Sequence, residues 1–416
     1  MRLTYICLRV SLVSLFIPRS TIKAADRIFD GEAGAPYNWT DEVNWDGNTA
    51  IADGDNLSFG TLIQSISMTN DTVGLSLGSL TFNGGANAIL NAVGEDNNAL
   101  SFSGGIFLVS SGNTTIESSL ILTADQTFSN TLANDRVLTF GPLNANAANI
   151  SMGVYNLELH STSSGAGAAD IRFGFGGALT GSGDITKTGA GRATFRGDGS
   201  GFSGDIFVNE GALIAQSQLG SALGNTTGST TVASGATLVF ENNPSNGEQI
   251  TVGGQGADCS AFAPNQRGAI AFTGTLTSQT TVFTLSSDTT IGFKDANRKV
   301  SLTGGIDEST GGSGLEKVGY WADPNAGFLV LTETDSTYTG TTTVKGGGLV
   351  TRQWKYAVYE DGAELLFNLE RDPYEMNNLA DDPDYVERKC GLRRQLRDEC
   401  IRTDVGTWPF LLARMA

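Results

Sequence analysis

The sequence predicts an all-β protein, a parallel β-helix or solenoid, followed by a small α+β tail of one hairpin and one helix. Three observations carry this. The run G-x-x-x-V-x-x-G-[AG] recurs at residues 204–212, 228–236 and 340–348, and its first two copies begin 24 residues apart, within the range of solenoid repeats. Apolar and polar residues alternate in short runs, as at Ile206 and Val208 or Ala193 and Phe195, so each run has one buried and one solvated face. Glycine supplies 54 of 416 residues while only 17% are charged, and Gly189, Gly191, Gly204 and Gly211 punctuate the strands where tight corners need positive φ. One coil cannot bury its apolar face alone, so its core must come from stacking on the next coil.

In chain order, residues 1–24 read as a secretory signal peptide. Arg2 and Arg9 precede a mostly apolar run from Val10 to Ile17, and Ile22, Lys23 and Ala24 offer small-residue cleavage after Ala24 or Ala25. The apolar run is too short to span a membrane, and the mature chain is expected to be exported and secreted, extracellular or at the cell surface. The bland alternative is a disordered start.

Residues 25–96 are expected to form an N-terminal cap and the first coils. The first coil of a solenoid presents open strand edges and an apolar cross-section, so a cap is mechanically required. Trp39 and Trp45, followed by Gly54, Asp55 and Phe59, supply its aromatic mass, and their spacing resembles the cap found ahead of such repeats. Burial in the cap competes with a second use for the two tryptophans, a platform for sugar stacking.

Residues 97–350 are expected to form the β-helix, with repeats at 177–215, 228–240 and 304–350. Stretches such as TIESSLILTADQTF and ATLVFEN keep the strand alternation, with asparagine-rich turns such as NANAAN. Coil lengths in the low twenties predict about a dozen coils over residues 60–350. The passage DITKTGAGRATFRGDGSGFSGDIFVNEGALIA resembles the passenger-associated, or autotransporter-associated, β-strand repeat of large secreted bacterial proteins. It carries that family's strand ending in K-x-G-x-G, its short strand, its aromatic before x-G and its closing G-[AT]-L. The resemblance implies a right-handed, extracellular β-helix and no particular chemistry. In the third copy, Leu315, Glu316, Lys317, Val318 and Gly319 answer to Ile185, Thr186, Lys187, Thr188 and Gly189, and YWADPNAG stands where the second glycine turn belongs.

At Thr351 the composition changes: residues 351–416 hold 23 charged residues in 66, against 47 in the preceding 350, a contrast that marks a different fold. A hairpin is predicted from strands at 353–359 and 364–369 around Asp361 and Gly362. A helix follows, capped by Asp382 with Pro383 at its first position, presenting Leu392, Leu396 and Cys400 on one face. The run from Trp354 through Leu369, followed by Asp372, Pro373, Glu375, Asn378, Leu379 and Ala380, resembles the C-terminal end of sulfatases of the alkaline-phosphatase superfamily. That family's catalytic cysteine in C-x-[PA]-x-R has no counterpart: the nearest run, from Cys259 to Ala263, puts alanine where the arginine belongs. The hairpin is expected to act as an improvised cap on the last coil. No translocator barrel is signalled after Thr351.

The chemistry on offer is sparse. A net charge of −18 argues against nucleic acid and against anionic lipid or anionic polysaccharide as unassisted ligands. The expected partners are extracellular polysaccharide or cell-surface components. No cofactor is expected. Calcium enters only through Gly253–Asp258, a single G-G-x-G-x-D that lacks the tandem copies between which such motifs bind, so a glycine turn is the favoured reading. Cys7, Cys259, Cys390 and Cys400 are too few for a disulfide scaffold, and Cys390 and Cys400 are too far apart to bond within one helix. Glu308 with Glu316, or Asp184 with Glu210, form nominal glycosidase pairs of the kind any acidic chain supplies. His160, the one histidine, reads as a surface residue on a strand. The chain is thus expected to be a surface, adhesive or scaffold protein without a catalytic site. The rivals are a fragment or fusion of a sulfatase and a β-helical polysaccharide-processing enzyme.

Overall fold

A computed structural model describes residues 24–390 except 61–64, 93–97, 110–111, 133–135, 142–147, 163–169, 175–176, 217–220, 243–246, 258–267, 275–277, 294–298, 319–327, 332–335, 345–347, 351–353, 359–363 and 373–375. The signal segment, Cys259, YWADPNAG, and the helix positions Leu392, Leu396 and Cys400 lie outside the described residues.

The alternation read from sequence becomes a parallel β-helix. Ile206 and Val208 are fully buried with Phe207 between them facing outward, and Val208 stacks directly on Val232 of the next coil. Repetition of this pairing builds three faces. The first runs from Asp26–Ile28 and Asn56–Phe59 through Ile106–Leu108, Leu157–Ser161, Ile206–Val208 and Gln249–Gly254 to Ile306–Glu308. The second runs from Ile66–Asn70 through Val137–Phe140, Arg192–Phe195 and Thr237–Glu241 to Thr342–Val344. The third has two stretches, from Ser76–Leu77 to Asp198–Phe202 and from Ser278–Gln279 to Gly348–Val350. The long strand Phe283–Phe293 passes from the first face to the second without a break, pairing Gln249–Gly254 with its first half and Ile270–Thr273 with its second.

Coils are less uniform than the low twenties expected. Equivalent corner residues are separated by 31, 28, 21 and 24 positions between Asp125 and Ser229. The extra residues leave as loops at corners, where the ladder imposes no length.

The interior is one continuous apolar column. On the second face Phe140, Phe173 and Phe195 stack at centroid distances of 5.5 and 4.8 Å, and Phe240, Phe272 and Phe293 continue at 5.7 and 5.6 Å. Within each set every ring sits one coil above its neighbour, close to the ~4.8 Å spacing of paired strands, and Ala215 takes the position between Phe195 and Phe240.

At the amino-terminal end aromatic side chains cluster against the first coils. Trp39 and Trp45 are fully buried, packed edge to face at 5.9 Å with Phe29 and Phe59 beside them. Trp39 N donates to Thr69 O, so the cap's own chain pairs with the first coil. Complete burial excludes the sugar-platform use of these tryptophans.

Two sequence readings need correction. Gly189 and Gly211 do take positive φ, but Gly191 does not, and nor does Gly204. It is glycine because the carbonyl oxygen of Gly183 lies 2.1 Å from where its Cβ would stand. The third repeat copy also sits on a different face: Lys187 pairs with Val208 on the first face, whereas Lys317 pairs with Val344 on the second. The local match of lysine beneath valine survives, while its phase around the coil has shifted by one side.

The tail forms the predicted hairpin, Trp354–Val358 antiparallel to Glu364–Asn368. Asp382 accepts from Asp384 N and opens a 3-10 turn, Pro383–Tyr385, that continues as helix to Cys390. Asn378 locks on the hairpin through Leu366 N and Glu364 O, Lys389 pairs with Glu364 at 3.2 Å, and Arg388 lies over Trp354. Among the described residues the hairpin pairs with itself and adds no strand to the solenoid, and its buried Leu366 and Phe367 are separate from the solenoid's apolar column. The expected cap on the last coil is therefore not made by strand pairing among the described residues. No helix among the described residues is long and apolar enough to cross a membrane.

Candidate functional site

Because strands on the first face stack in register, side chains that point outward form columns along the coil axis. One column reads Thr127, Glu158, Thr186, Phe207, Thr231, Thr251 and Thr284. Beside it runs a second of Phe107, Ser129, His160 and Thr188. All but Ser129 are half-buried.

Between these columns runs a chain of polar contacts. Thr127 Oγ1 donates to Glu158 Oε2 at 3.1 Å, Thr188 Oγ1 donates to Glu158 Oε1 at 2.6 Å, and His160 Nδ1 lies 2.9 Å from Thr188 Oγ1. A carboxylate only accepts, so the Thr188 proton goes to Glu158, and the network assigns the Nδ1 proton to His160. Each Glu158 oxygen keeps acceptor capacity beyond its one threonine. Next to this chain lies a shallow open groove of about 390 Å³, lined by Gly104, Phe107, Asp125, Thr127, Asn156, Glu158 and Thr186 among others. The Phe107 ring lies across Gly105, where an added Cβ would stand 3.2 Å from Cζ, so the missing side chain lets the ring lie along the face.

The edge of this face is an inter-coil ladder. Asp125 accepts from Asn156 N, Asn156 from Asp184 N, Asp184 from Asp205 N, and Asp205 from Ser229 N, at 2.8 to 3.0 Å. This explains the asparagine and aspartate at the turns: each side chain binds the backbone of the next coil. It also disposes of the nominal acid pairs. Asp184 belongs to the ladder, while Glu210 lies beyond the other end of the strands and accepts from Gly189 N at 2.8 Å. Glu308 accepts from Thr339 Oγ1, Thr339 N and Ser313 N, and these bonds hold its carboxyl below the ordinary value. Glu316 faces out on the second face, not toward Glu308.

A second polar cluster lies outside the second face. Asp170, 1% exposed, takes Arg172 Nη2 at 2.8 Å and Thr194 Oγ1 at 3.0 and 3.1 Å, with Arg192 Nη2 at 4.0 Å. Arg196 Nε donates to Gln216, which donates on to Glu241 at 2.9 Å. Burial, then repulsion from Arg172, lowers the Arg196 guanidinium below its ordinary value. These contacts interlock successive coils and adjoin an apolar patch of Ala212, Ile214 and Val239.

Three buried charges were not legible as structural from sequence. Lys187, fully buried, donates to the carbonyls of Thr188 and Gly189 at 2.7 Å and of Glu210 at 3.2 Å. It pins the K-x-G turn from inside. Lys317 is buried with its ammonium 4.9 Å from the Phe293 ring, and burial pushes it down to about 7. Glu248 accepts from Thr230 Oγ1 at 2.6 Å, and burial pushes it up to about 7.

The glycine motif ends the strand Gln249–Gly254, with positive φ at Gly254 and Gly256; its Asp258 lies outside the described residues. Among the described residues no three His, Cys, Asp or Glu side chains are grouped to hold a metal ion. Cys390 is a free, exposed thiol. The outward residues at Phe107, Glu158 and Phe207 were missed in the sequence because their juxtaposition depends on coil length. In comparison with known proteins, no family model, curated protein or solved structure matches this chain.

Proposed function

We propose that this chain is a secreted β-helical repeat protein of the passenger-associated kind, serving as a surface scaffold that presents a long side-chain face to extracellular polysaccharide or cell-surface material. Its sulfatase-like tail is an appended, non-catalytic segment. The observation that supports the reading best is the use of acidic side chains: Asp184, Asp205, Glu210 and Glu308 bind backbone N–H groups at the corners of the coils. Carboxylates so engaged hold coils together and are poorly placed to serve as an acid and base.

Two measurements test this. Cells producing the full chain, digested from outside with protease, are expected to lose it. Retention of the whole population in a protected cytoplasmic fraction contradicts the reading. The purified chain is expected to release no sulfate from an aryl sulfate ester, since among the described residues no activated nucleophile stands among cations that would stabilise the leaving anion. Turnover abolished by Cys259→Ala replaces the scaffold reading with the sulfatase one.

A further inference from the structure

We infer that the first face carries a binding strip for a neutral, hydroxyl-rich glycan running along the coil axis from Phe107 to Phe207. The inference rests on the scaffold reading and gives its face a ligand class.

The strip's geometry follows from register. From Phe107 the pairings step through Ser129, His160 and Thr188 to the coil that bears Phe207. Four coil steps of ~4.8 Å set the two rings about 19 Å apart along the axis, the length of a short oligosaccharide. Between them lie the open groove of about 390 Å³ and the Thr127–Glu158–Thr188–His160 chain.

The chemistry selects the occupant. Every strand here is already paired on both sides by neighbouring coils, so a peptide has no open edge on which to add as a strand. Recognition must use side chains. Half-buried aromatic faces at both ends suit the C–H faces of sugar rings. Glu158 retains an accepting site on each oxygen after its two threonine bonds, enough for two adjacent hydroxyls. Asp125 and Glu158 both line the groove, and in a chain of net charge −18 they repel a uronate or sulfated polymer.

The test is affinity electrophoresis of the full chain through gels containing hydroxyethyl cellulose, mannan, laminarin or starch, with polygalacturonate as the anionic comparison. At least one neutral polymer is expected to retard the wild type, and polygalacturonate is not. Phe107→Ala and Phe207→Ala are each expected to weaken retardation about tenfold. Thr186→Arg, which fills the middle of the strip, is expected to abolish it, with the thermal midpoint of all three variants near that of the wild type. Retardation unchanged in the Phe107→Ala, Phe207→Ala double variant overturns the strip and leaves the scaffold reading intact. Retardation by no neutral polymer, or by polygalacturonate alone, overturns the proposed ligand class, while the protease test above decides separately on the scaffold.

Discussion

At Gly204 the limiting contact is backbone against backbone. The Gly183 carbonyl occupies the place of a Cβ, and the same relation holds for Gly183 over Tyr155 at 1.9 Å, Gly228 over Gly204 at 2.2 Å and Gly340 over Ser313 at 2.2 Å. The first glycine of the repeat is thus fixed by coil-to-coil approach, which sequence inspection mistakes for a demand on φ. Gly204→Ala is expected to cost about 1–3 kcal/mol through overpacking, whereas Gly85→Ala, with nothing within 4 Å of the added carbon, is expected to stay within about 0.5 kcal/mol; urea unfolding of both variants checks the contrast. Glu248 makes a second residue-scale prediction. Burial, opposed by the Thr230 hydroxyl and assisted by Asp205, raises its carboxyl from 4.5 to about 7. Between those values the unfolded chain has released a proton that the folded chain still holds, so this group's contribution falls as pH rises through the window, by at most about 3 kcal/mol. Relative to Glu248→Gln, the wild type is expected to lose stability between pH 5 and 7.5; a constant difference between the two proteins contradicts the assignment.

Turns are where the elements are specified and where the sequence is hardest to read. The alternation at Ile206 and Val208 reveals a strand directly, because a two-residue period needs no knowledge of the rest of the chain. Lys187 does not reveal its role, since its three carbonyl partners come from the turn after it and from Glu210 on the following coil. Lys187→Met leaves those carbonyls without their donor and is expected to cost about 3 kcal/mol, measured by chemical unfolding. Lys187→Arg is not expected to restore it, because a planar fork does not fit a socket built for a point charge. Lys317 carries the same pairing beneath Val344 on another face, so repeat spacing in sequence preserves the local lysine–valine pair while leaving its position around the coil open. The candidate strip was illegible for the same reason: Thr188 meets Glu158 across 30 residues and His160 across 28, separations set by loops whose length no ladder constrains.

For the molecule as a whole, stability is spread along a column in which each coil supports the next, and the tail stands apart in its pairing. Truncation after Val350 removes the hairpin and its own bonds to Asn378 and Lys389 and leaves the coil ladder untouched, so the thermal midpoint is expected to move by less than about 4 °C; a larger fall shows that the tail supports the last coil. The parallel stacking itself is tested most directly by distance measurements along one outward column. Spin labels placed at Thr127 and Thr231 are separated by four coil steps, and labels at Thr127 and Asp307 by seven. With ~4.8 Å per step, pulsed dipolar spectroscopy is predicted to give narrow distributions near 19 and 34 Å, rising in proportion to the number of coils. Distances that fail to scale with coil number, or that place Thr127 and Asp307 no farther apart than Thr127 and Thr231, contradict the solenoid.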